Sequence, residues 1–418
     1  MNILIVSQYF WPENFRINDF AAGLVERGHR VAVLTGIPNY PNGQFYEGYG
    51  VFTRKEKTYR GVKIIRIPII PRGRSMVQRA LNYLSFSIAS CLMAPFKCNG
   101  QYDLIVVYGM SPITMALPAV LLRKLNNTPV LLWVQDLWPE SLSATGSVRS
   151  QMLLGAVEKM VRFIYGNCDR ILIQSRAFVD SIRGKGVPES KISYFPNSAE
   201  TLYQPMAPND DAADQLKMPA GFRIMYAGNI GAAQGFDSIL DCAEMLRHYT
   251  DIHWVIFGDG CKSDWVMQEV ERRRLTECVH IMGRHSIESM PKYFAVADAM
   301  LVSLRKDEIF ALTIPAKVQS YLACGKPIIA ALDGEGARIV TESGAGVASA
   351  AGHPGNLSDA VLTLYRLSES ERAEMGARGR TYYETHFERE TQLSRFEGMI
   401  NELVAEGKGK DSLCDKKC

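Results

Sequence analysis

The sequence predicts an α/β protein built from two doubly wound domains, and three features of its pattern support this. Short apolar runs alternate with segments of helical periodicity in the N-terminal half, beginning at residues 2–6. The alternation stops at residues 196–222, a stretch rich in Pro, Asn and Asp, and then starts again. Because strands that alternate with helices form parallel sheets covered on both faces, we expect one such sheet in each half.

The N-terminal half opens with a strand and then a helix. Residues 2–6 (NILIV) form an apolar run, and an amphipathic helix is expected from about Ile17 to Arg27, ended by Gly28. The run VAVLT predicts a second strand. Further strands are expected at VKIIRIP, DLIVVYG, PVLLWVQD and RILIQS, with a helix at LLGAVEKMVRFIYGN.

The C-terminal half repeats this alternation. Strands are expected at RIMYAGN, HWVIFGDG, VHIMG, AMLVSL and KPIIAAL, and helices at FDSILDCAEML, DWVMQEVERRR and PAKVQSYLACG. From Leu357 the pattern is helical to about Glu406. The predicted organisation is a first domain at residues 1–200, a linker at 201–221, a second domain at 222–385, a C-terminal helix at 386–406 and a charged, disordered tail at 407–418.

Composition excludes several classes of protein. The 418 residues suit two domains, and a formal net charge of +3 is too small to indicate nucleic-acid binding. The nine cysteines include no C-x-x-C pair, so we expect neither a disulfide framework nor a zinc site, and free thiols favour the cytosol. Residues 76–96 are the most membrane-like stretch, but Arg79, Asn82 and several serines disfavour a spanning helix.

The loops that follow strands are the candidate sites, because doubly wound domains bind ligands at the carboxyl ends of their strands. The first such loop, residues 8–19, has no glycine and therefore no dinucleotide-binding fingerprint. Its Arg16 is suited to a bidentate contact with a substrate phosphate. The alternative is an ordinary polar turn before a helix.

The loop after PVLLWVQD contains Asp136. A carboxylate at the end of a strand is suited to holding ligand hydroxyl groups or to stabilising positive charge at a reacting carbon. The alternative is that Asp136 or Ser141 only caps a helix that begins near Pro139.

Two loops in the C-terminal half are suited to phosphate. The first is glycine-rich and lies between a strand and a helix, which lets backbone approach an anion, although such turns are common. In the second, Pro315 is expected in the first turn of a helix, with Thr313 or Ile314 as its cap and cations nearby. The alternative is a surface helix with an exposed Lys317.

Two further features have balanced interpretations. Glu335 lies between two glycines after KPIIAAL, where its carboxylate is suited either to ligand hydroxyl groups or to a solvated turn. Arg72, Arg74 and Arg79 flank an apolar helical segment, which indicates a contact with a membrane surface. A buried domain helix beside a solvated basic loop explains the same pattern equally well.

Over essentially its whole length, the chain resembles bacterial family 4 glycosyltransferases with the GT-B fold. The matching segments are ILIVSQYFWPENFRINDFAAGLVERGHRVAVLT, VQDLWPESL, AGNIGAAQGF and IPAKVQSYLACGKPIIAALDGEGARIV. It looks most like the branch that builds O-antigen, capsule and exopolysaccharide units, including N-acetylfucosamine-type transferases.

This resemblance implies two Rossmann-like domains facing each other across a cleft, with a C-terminal helix that crosses back to the N-terminal domain. It implies transfer from a nucleotide-sugar donor, a UDP-sugar in most cases, with retention of configuration and without a metal or other cofactor. The implied acceptor is a polyprenyl-diphosphate-linked sugar, and the implied location is the cytoplasmic face of the inner membrane.

The resemblance also assigns roles to residues. The family's spaced pair of glutamates falls at Leu312 and Ser320, so Glu308 is expected to substitute. The family's phosphate-loop Arg and Lys are absent, and Gln234 lies near their place, so the helix dipole, Lys317 and Arg305 are expected to bind the diphosphate. Asp136 and Glu308 are therefore the expected catalytic residues. Acceptor binding is assigned to Glu13, Asn14 and Arg16, and donor binding to Gly228, Asn229, Gly231, Gln234, Gly283, Arg284, Arg305, Thr313, Ile314, Pro315, Lys317 and Glu335.

The expected mechanism is a front-face displacement, in which backbone N–H groups near Gly231 and residues 313–317 stabilise the leaving phosphate. Two other functions stay open at this point. A nucleotide-sugar epimerase of the same fold would convert the donor without an acceptor. A non-catalytic assembly subunit would keep the fold without turnover.

Overall fold

The computed structural model describes residues 1–41, 43–52, 57–73, 75–144, 150–207 and 216–414, with backbone only for residues 144 and 406–414. The chain forms two compact units. Unit 1 consists of Met1–Pro196 together with Gln392–Cys418, and unit 2 consists of Asn197–Thr391. Each unit contains its own sheet, as the repeated alternation predicts.

Unit 1 contains an eight-stranded sheet in the order β3-β4-β2-β1-β5-β6-β7-β8. All neighbouring strands are parallel except β3 and β4. The strands are β1 (Asn2–Val6), β2 (Arg30–Gly36), β3 (Thr58–Tyr59), β4 (Val62–Ile67), β5 (Leu104–Gly109), β6 (Val130–Val134), β7 (Arg170–Ile173) and β8 (Ile192–Tyr194). The helices are α1 (Arg16–Glu26), α2 (Met76–Lys97), α3 (Leu117–Asn126), α4 (Glu140–Ala144), α5 (Gln151–Gly166) and α6 (Phe178–Gly184).

The central strands of this sheet are buried on both faces. Every residue of β5 and β6 is buried, and both strands are continuous apolar runs. Parallel strands covered by helices on both sides require such runs, which explains why the sequence showed them clearly. The two strands of this sheet that the sequence did not predict, β3 and β8, are only two and three residues long and lie at the sheet edges.

The last helix, α15 (Arg389–Cys414), packs on unit 1, as the resemblance implied. Leu393, Phe396 and Ile400 belong to the same buried cluster as the first strands of the chain. The Phe396 ring lies 5.0 Å from the ring of Phe20, in an edge-on arrangement. Burial of these side chains therefore holds the end of the chain against its beginning.

Helix α15 is longer than expected. It continues to Cys414, whereas the sequence predicted a disordered tail from residue 407. Residues 415–418 lie outside the described ranges. No proline follows Arg389 to end the helix. Gly407 and Gly409 lower helix propensity by about 1 kcal/mol each without blocking the backbone hydrogen bonds.

Glu397 joins α15 to the start of unit 1 through charged contacts, and its replacement should be measurable. Its carboxylate accepts from Arg27 Nη1 at 2.7 Å and contacts His29 Nε2 at 2.9 Å. We expect Glu397→Gln to lower the free energy of unfolding by about 1–2 kcal/mol, since the hydrogen bonds lose their charge. Glu384→Gln, which breaks the more exposed pair with Arg380, should change it by less than about 0.5 kcal/mol in the same urea titration. Equal losses in the free energy of unfolding for the two variants would show that Glu397 contributes no more to stability than an exposed ion pair.

Unit 2 contains a six-stranded, fully parallel sheet in the order β11-β10-β9-β12-β13-β14. The strands are β9 (Phe222–Ala227), β10 (Ile252–Phe257), β11 (Val279–Gly283), β12 (Ala299–Ser303), β13 (Ile328–Ala331) and β14 (Gly346–Ser349). The helices are α7 (Phe236–Met245), α8 (Ser263–Arg272), α9 (Met290–Ala295), α10 (Glu308–Leu312), α11 (Ala316–Ala323), α12 (Gly334–Glu342), α13 (Pro354–Tyr365) and α14 (Glu369–His386).

The segment expected to link the domains packs partly on unit 2. Ala199 and Met218 are buried in its core, and the ring of Tyr203 stacks on Phe294 with centroids 5.8 Å apart. Residues 208–215 of this segment lie outside the described ranges. The sequence of the segment did not predict these contacts, because isolated apolar residues without periodicity form no recognisable pattern.

No helix within the described ranges combines the length and apolar character needed to cross a bilayer.

Candidate functional site

The strand order of unit 2 reverses between its central strands β9 and β12, which marks the place where doubly wound domains bind ligands. The glycine-rich loop at residues 228–235 follows β9, and residues 304–307 follow β12. The Arg305 N–H donates to the Ala233 carbonyl at 2.8 Å, so the two loops are joined. The predicted donor residues of both loops therefore lie together at the reversal.

Lys317 points its ammonium group at this place from the first turn of α11. Its Nζ donates to the Tyr226 hydroxyl at 2.8 Å and lies 4.2 Å from the centre of that ring. The Tyr226 hydroxyl donates in turn to the Asn229 carbonyl at 2.6 Å. The alternative of an exposed lysine is therefore wrong, because the side chain runs inward along the glycine-rich loop.

The environment of Lys317 is unfavourable for a positive charge. Burial lowers the pKa of its ammonium group from 10.5 to about 7. No carboxylate in the described part of the chain forms an ion pair with it. A bound anion would supply the missing negative charge, so this position is suited to a phosphate group.

Two glycines leave the space that Lys317 occupies. A Cβ added to Gly228 would lie 2.5 Å from Lys317 Cε, and one added to Gly258 would lie 1.8 Å from the Gly228 carbonyl oxygen. Both glycines have positive φ, at +143° and +133°. The glycines are required for close backbone packing beneath the lysine, which is a more specific reason than a general preference for glycine in turns.

Gln234 holds the same loop from within. Its Oε1 accepts from the Gly231 N–H at 3.1 Å and from Asn229 Nδ2 at 3.4 Å. The Gly231 N–H that the sequence offered to a phosphate is therefore already bonded in this structure. Gln234 acts here as a support for the loop.

The turn before α11 differs from the expected cap. Pro315 is the N-cap itself, with extended backbone at φ −62° and ψ 133°, and lies outside the first helical turn. The Thr313 hydroxyl donates back to the Ile309 carbonyl at 3.2 Å, so it serves the end of α10. Ile314 is buried in the core of unit 2. The short helix α10 was not predicted, and the hydroxyl of Thr313 bonds to the end of this helix instead of capping α11.

The acidic candidates near this site have different surroundings. Glu308 is exposed at the start of α10, and Glu335 lies in the first turn of α12, where it pairs with Arg338 at 2.9 Å. The expected loop around Glu335 is therefore a helix. Arg305 pairs with Asp307 at 3.5 Å and is 41% exposed. Ser320, where the family carries a glutamate, is buried and donates to the Ala316 carbonyl.

Gly283 and Arg284 lie at the carboxyl end of β11. The Gly283 carbonyl accepts from the Gly258 N–H at 2.8 Å, and Arg284 is exposed. Beside them the rings of Phe257, His285 and Tyr293 form a cluster with centroids 4.6 to 5.3 Å apart. This cluster was not predicted, because Phe257 at the end of β10 and Tyr293 on α9 are 36 positions apart and meet only in the folded unit.

In unit 1 the strand order reverses between β1 and β5, and Asp136 follows the adjacent strand β6. Its Oδ2 accepts from the Ser111 N–H at 3.0 Å and from the Ser111 hydroxyl at 2.8 Å. The Trp138 indole N–H donates to the same hydroxyl at 3.0 Å. Burial raises the pKa of the Asp136 carboxyl, although the bonds from Ser111 oppose this.

These contacts exclude the alternative of helix capping for Asp136 and Ser141. The carboxylate of Asp136 bonds to another loop, and the Ser141 hydroxyl donates back to the Leu137 carbonyl at 2.6 Å. Asp136 is thus held in one orientation by Ser111, with no described partner for Oδ1.

The three residues assigned to acceptor binding are placed differently. Glu13 is buried, and its carboxylate accepts from the backbone N–H groups of Asn39, Tyr40 and Phe10. Burial raises its pKa to about 7. Asn14 is exposed, and Arg16 begins α1. Glu13 therefore organises loops in this structure, which its position in the sequence did not indicate.

Two further residues of unit 1 had no predicted role at a site. Arg72 donates through Nη1 to the hydroxyls of Tyr9 and Tyr83, at 2.9 and 2.8 Å. Lys185 is buried and forms an ion pair with Glu140, next to the Asp136 loop. In the sequence, only the basic residues beside α2 indicated that Arg72 contributes to a binding surface. Arg74, another of these basic residues, lies outside the described ranges.

Across the described ranges, no group of three or more His, Cys, Asp or Glu side chains is arranged to hold a metal ion.

Two protein families match this chain. Residues 14–198 match the family described as "Glycosyl transferase 4-like domain", and residues 221–366 match "Glycosyl transferases group 1". The chain is 26% identical over 338 residues to WcaI of Escherichia coli (strain K12), named as a colanic acid biosynthesis glycosyl transferase. That match covers 78% of this chain and 82% of WcaI.

Solved structures share the fold. Sucrose-phosphate synthase from Thermosynechococcus elongatus superposes with a TM-score of 0.74 at 16% identity, over 97% of this chain and 99% of that one. Anabaena Alr3699/HepE, solved in complex with UDP-glucose, gives 0.71 at 15% identity, over 96% and 100%. The chain therefore contains the domains of two glycosyltransferase families, one in each half, and it has the two parallel α/β domains of the GT-B fold.

Proposed function

We propose that the enzyme transfers a sugar from a UDP-sugar to a polyprenyl-diphosphate-linked sugar, with retention of configuration and without a metal ion. The observation that carries this proposal is Lys317, a half-buried lysine whose ammonium group points inward at the strand reversal of unit 2, with no carboxylate partner in the described residues. A nucleotide diphosphate provides the anion that this environment lacks.

The donor is assigned to unit 2. Its diphosphate contacts Lys317 beside Gly228, and Glu335 and Arg284 are assigned to the nucleoside. Glu308 is assigned to the donor sugar, since its carboxylate is exposed and makes no hydrogen bond to any described residue. The Anabaena protein of the same fold was solved with UDP-glucose, which supports uridine as the base.

In the proposed reaction, the bond between the anomeric carbon and the donor diphosphate breaks. The acceptor oxygen forms its new bond on the same face of the sugar, and its proton passes to the departing phosphate oxygen. Lys317 stabilises the negative charge that grows on the diphosphate. The ionised carboxylate of Asp136 stabilises the positive charge that grows on the anomeric carbon.

The acceptor is assigned to unit 1 and to a membrane surface. Helix α2 exposes a row of apolar side chains, with Val77 at 70% and Phe96 at 79% exposure. An apolar stripe of this length on a surface helix is typical of a helix that lies in a membrane interface. Because WcaI is named for colanic acid biosynthesis, we propose that this enzyme also acts in the synthesis of a bacterial surface polysaccharide.

A binding screen followed by a transfer assay tests this function. Thermal denaturation with UDP, GDP, CDP, dTDP and ADP should show selective stabilisation by UDP, about 2.7 kcal/mol at a hundred times its Kd, and unchanged by EDTA. UDP-sugars with a polyprenyl-diphosphate-linked sugar in detergent should then give a glycosylated lipid whose new linkage keeps the donor configuration by NMR. Conversion of the donor without acceptor would identify an epimerase instead, and an inverted linkage would refute retention.

A further inference from the structure

Arg72 lies four residues before α2, among the side chains of three tyrosines. Besides its bonds to Tyr9 and Tyr83, its guanidinium group lies 5.4 Å from the ring centre of Tyr40 and 5.5 Å from that of Tyr83. Its backbone N–H donates to Asn39 Oδ1 at 2.8 Å. The tyrosine rings restrict the guanidinium to one orientation, so its remaining donors are presented in a fixed direction.

Among the described residues, the side chains around the guanidinium group of Arg72 are neutral. Within the described ranges its partners are tyrosine hydroxyls and rings, and no carboxylate forms an ion pair with it. Only Nη1 makes side-chain hydrogen bonds there, which leaves Nε and Nη2 as donors. Two adjacent guanidinium donors match two oxygens of one phosphate group.

An apolar face begins at Val77, the second residue of α2 and five residues after Arg72. Six exposed apolar residues of α2 recur at intervals of three or four, which places them along one side of the helix over about 30 Å. They are Val77, Leu81, Leu84, Ile88, Leu92 and Phe96. The opposite side, with Phe86 and Ala94, is buried against unit 1. A ligand that combines a phosphate with a long hydrocarbon chain fits a cation followed by such a face.

The charge of the surrounding sequence supports an anionic lipid. Residues 57–102 contain no aspartate or glutamate and eight basic residues. Basic segments beside an apolar interfacial helix are attracted to anionic lipid surfaces. An acidic peptide would use the same charge, but it would not require an uninterrupted apolar face.

We propose that Arg72 binds the diphosphate of the lipid acceptor, while the polyprenyl chain lies along the apolar face of α2. The proposal rests on the lipid-linked acceptor of the proposed function and transfers the phosphate contact from Arg16 to Arg72. Tyr9 and Tyr83 are positioning residues for the guanidinium group.

Calorimetric binding of farnesyl diphosphate, a short polyprenyl diphosphate, tests this site. All titrations contain saturating UDP, so that the donor site does not bind the probe. The full-length protein should bind farnesyl diphosphate at least tenfold more tightly than farnesol, inorganic pyrophosphate or dihexanoyl phosphatidylglycerol. These three probes lack the phosphates, the hydrocarbon chain and the diphosphate, respectively.

Two variants with the same change in net charge separate a specific site from general attraction. Arg72→Gln should weaken farnesyl diphosphate binding by at least tenfold, because charged hydrogen bonds are lost. Arg79→Gln, in the same basic segment, should change it by no more than about twofold. Arg72→Lys retains the cation near the tyrosines and should give an intermediate loss, which keeps the test valid if the glutamine variant is unstable.

Stabilisation by UDP reports the donor site separately. If UDP stabilises the protein but farnesyl diphosphate does not bind, the Arg72 site is refuted and the donor assignment stands. If UDP does not stabilise the protein and farnesyl diphosphate does not bind, both the donor assignment and the Arg72 site are refuted. Equal weakening by Arg72→Gln and Arg79→Gln, or equal affinity for phosphatidylglycerol and farnesyl diphosphate, would also overturn the proposal.

Discussion

Replacing Lys317 with methionine should reduce kcat/KM by about 10²–10⁴-fold without destabilising the protein. Methionine keeps much of the side-chain length and removes the charge that stabilises the departing diphosphate. A nearby cation of this kind contributes about 3–5 kcal/mol to a transition state in which negative charge develops. The loss should appear in the binding of UDP as well as in turnover, because the diphosphate is already charged in the bound donor.

The gain in the free energy of unfolding of Lys317→Met over the parent protein should be larger at neutral than at alkaline pH. The folded-state pKa of Lys317, about 7, lies below its ordinary value of 10.5, so folding opposes protonation. This cost is absent above pH 10.5, grows as the pH falls towards 7 and is constant below that. Lys317→Met removes the cost, and urea titrations at pH 7 and pH 10 should show the larger gain at pH 7.

Lys326 provides a matched control. It is a second buried lysine of unit 2, but its Nζ donates to the carbonyls of Ala295 and Ala297, at 2.6 and 3.1 Å. We expect Lys326→Met to lower stability by about 1–3 kcal/mol, because buried carbonyls lose their donor, while UDP binding is retained. If Lys317→Met is destabilised as much as this control, or keeps activity within threefold, the assignment of Lys317 is wrong.

Replacing Asp136 with asparagine should reduce kcat by about 10²–10³-fold and leave the affinity for UDP unchanged. The amide oxygen can still accept both bonds from Ser111, at the 3.0 and 2.8 Å seen for the carboxylate. The variant therefore removes the negative charge while keeping the loop geometry. Steady-state kinetics and UDP titration of the same preparation separate the two quantities.

The pH dependence of turnover should follow Asp136. Because burial raises the pKa of this carboxyl, its ionised form is lost at a higher pH than for an ordinary aspartate. We expect kcat to fall on acidification through that raised pKa and the acidic limb to disappear in Asp136→Asn.

Asp169 is the control carboxylate in the same unit. It pairs with Arg123 and accepts from the Val130 N–H at 2.9 Å. Asp169→Asn should lower stability without altering kcat. A kcat for Asp136→Asn within twofold of the parent enzyme would remove Asp136 from the reaction.

The sequence predicted the architecture well, because buried parallel strands such as β5 and β6 are continuous apolar runs. It predicted less about breaks between helices. The helical pattern expected from Leu357 to about Glu406 is divided among three helices, and the break before α14 carries a capping pair, Ser368 and Glu371, that the sequence contains. The spacing of apolar residues indicates which face of a helix is buried. A break of a few residues between two helices alters that spacing too little to be recognised.

The candidate site was predicted only in part, because a sequence pattern shows where strands end but not which distant loops meet. Strand ends are readable, so the loops around Gly228, Asp136 and Lys317 were found. The burial of Lys317 was not readable, since it depends on the missing side chains of Gly228 and Gly258 from two separate strands. The Arg72 cluster likewise combines residues from β1, β2 and α2 regions that are far apart in sequence.

Proton uptake on binding of UDP tests the central claim most directly. Titration calorimetry at pH 8, in HEPES and in Tris, gives the number of protons taken up from the difference in apparent enthalpy. Because Lys317 has a pKa of about 7 when the site is empty, it is mostly neutral at pH 8, and the diphosphate should raise that pKa. Uptake should approach one proton per UDP bound and should be absent in Lys317→Met. Tight binding of UDP without proton uptake, or equal uptake in the variant, would contradict it.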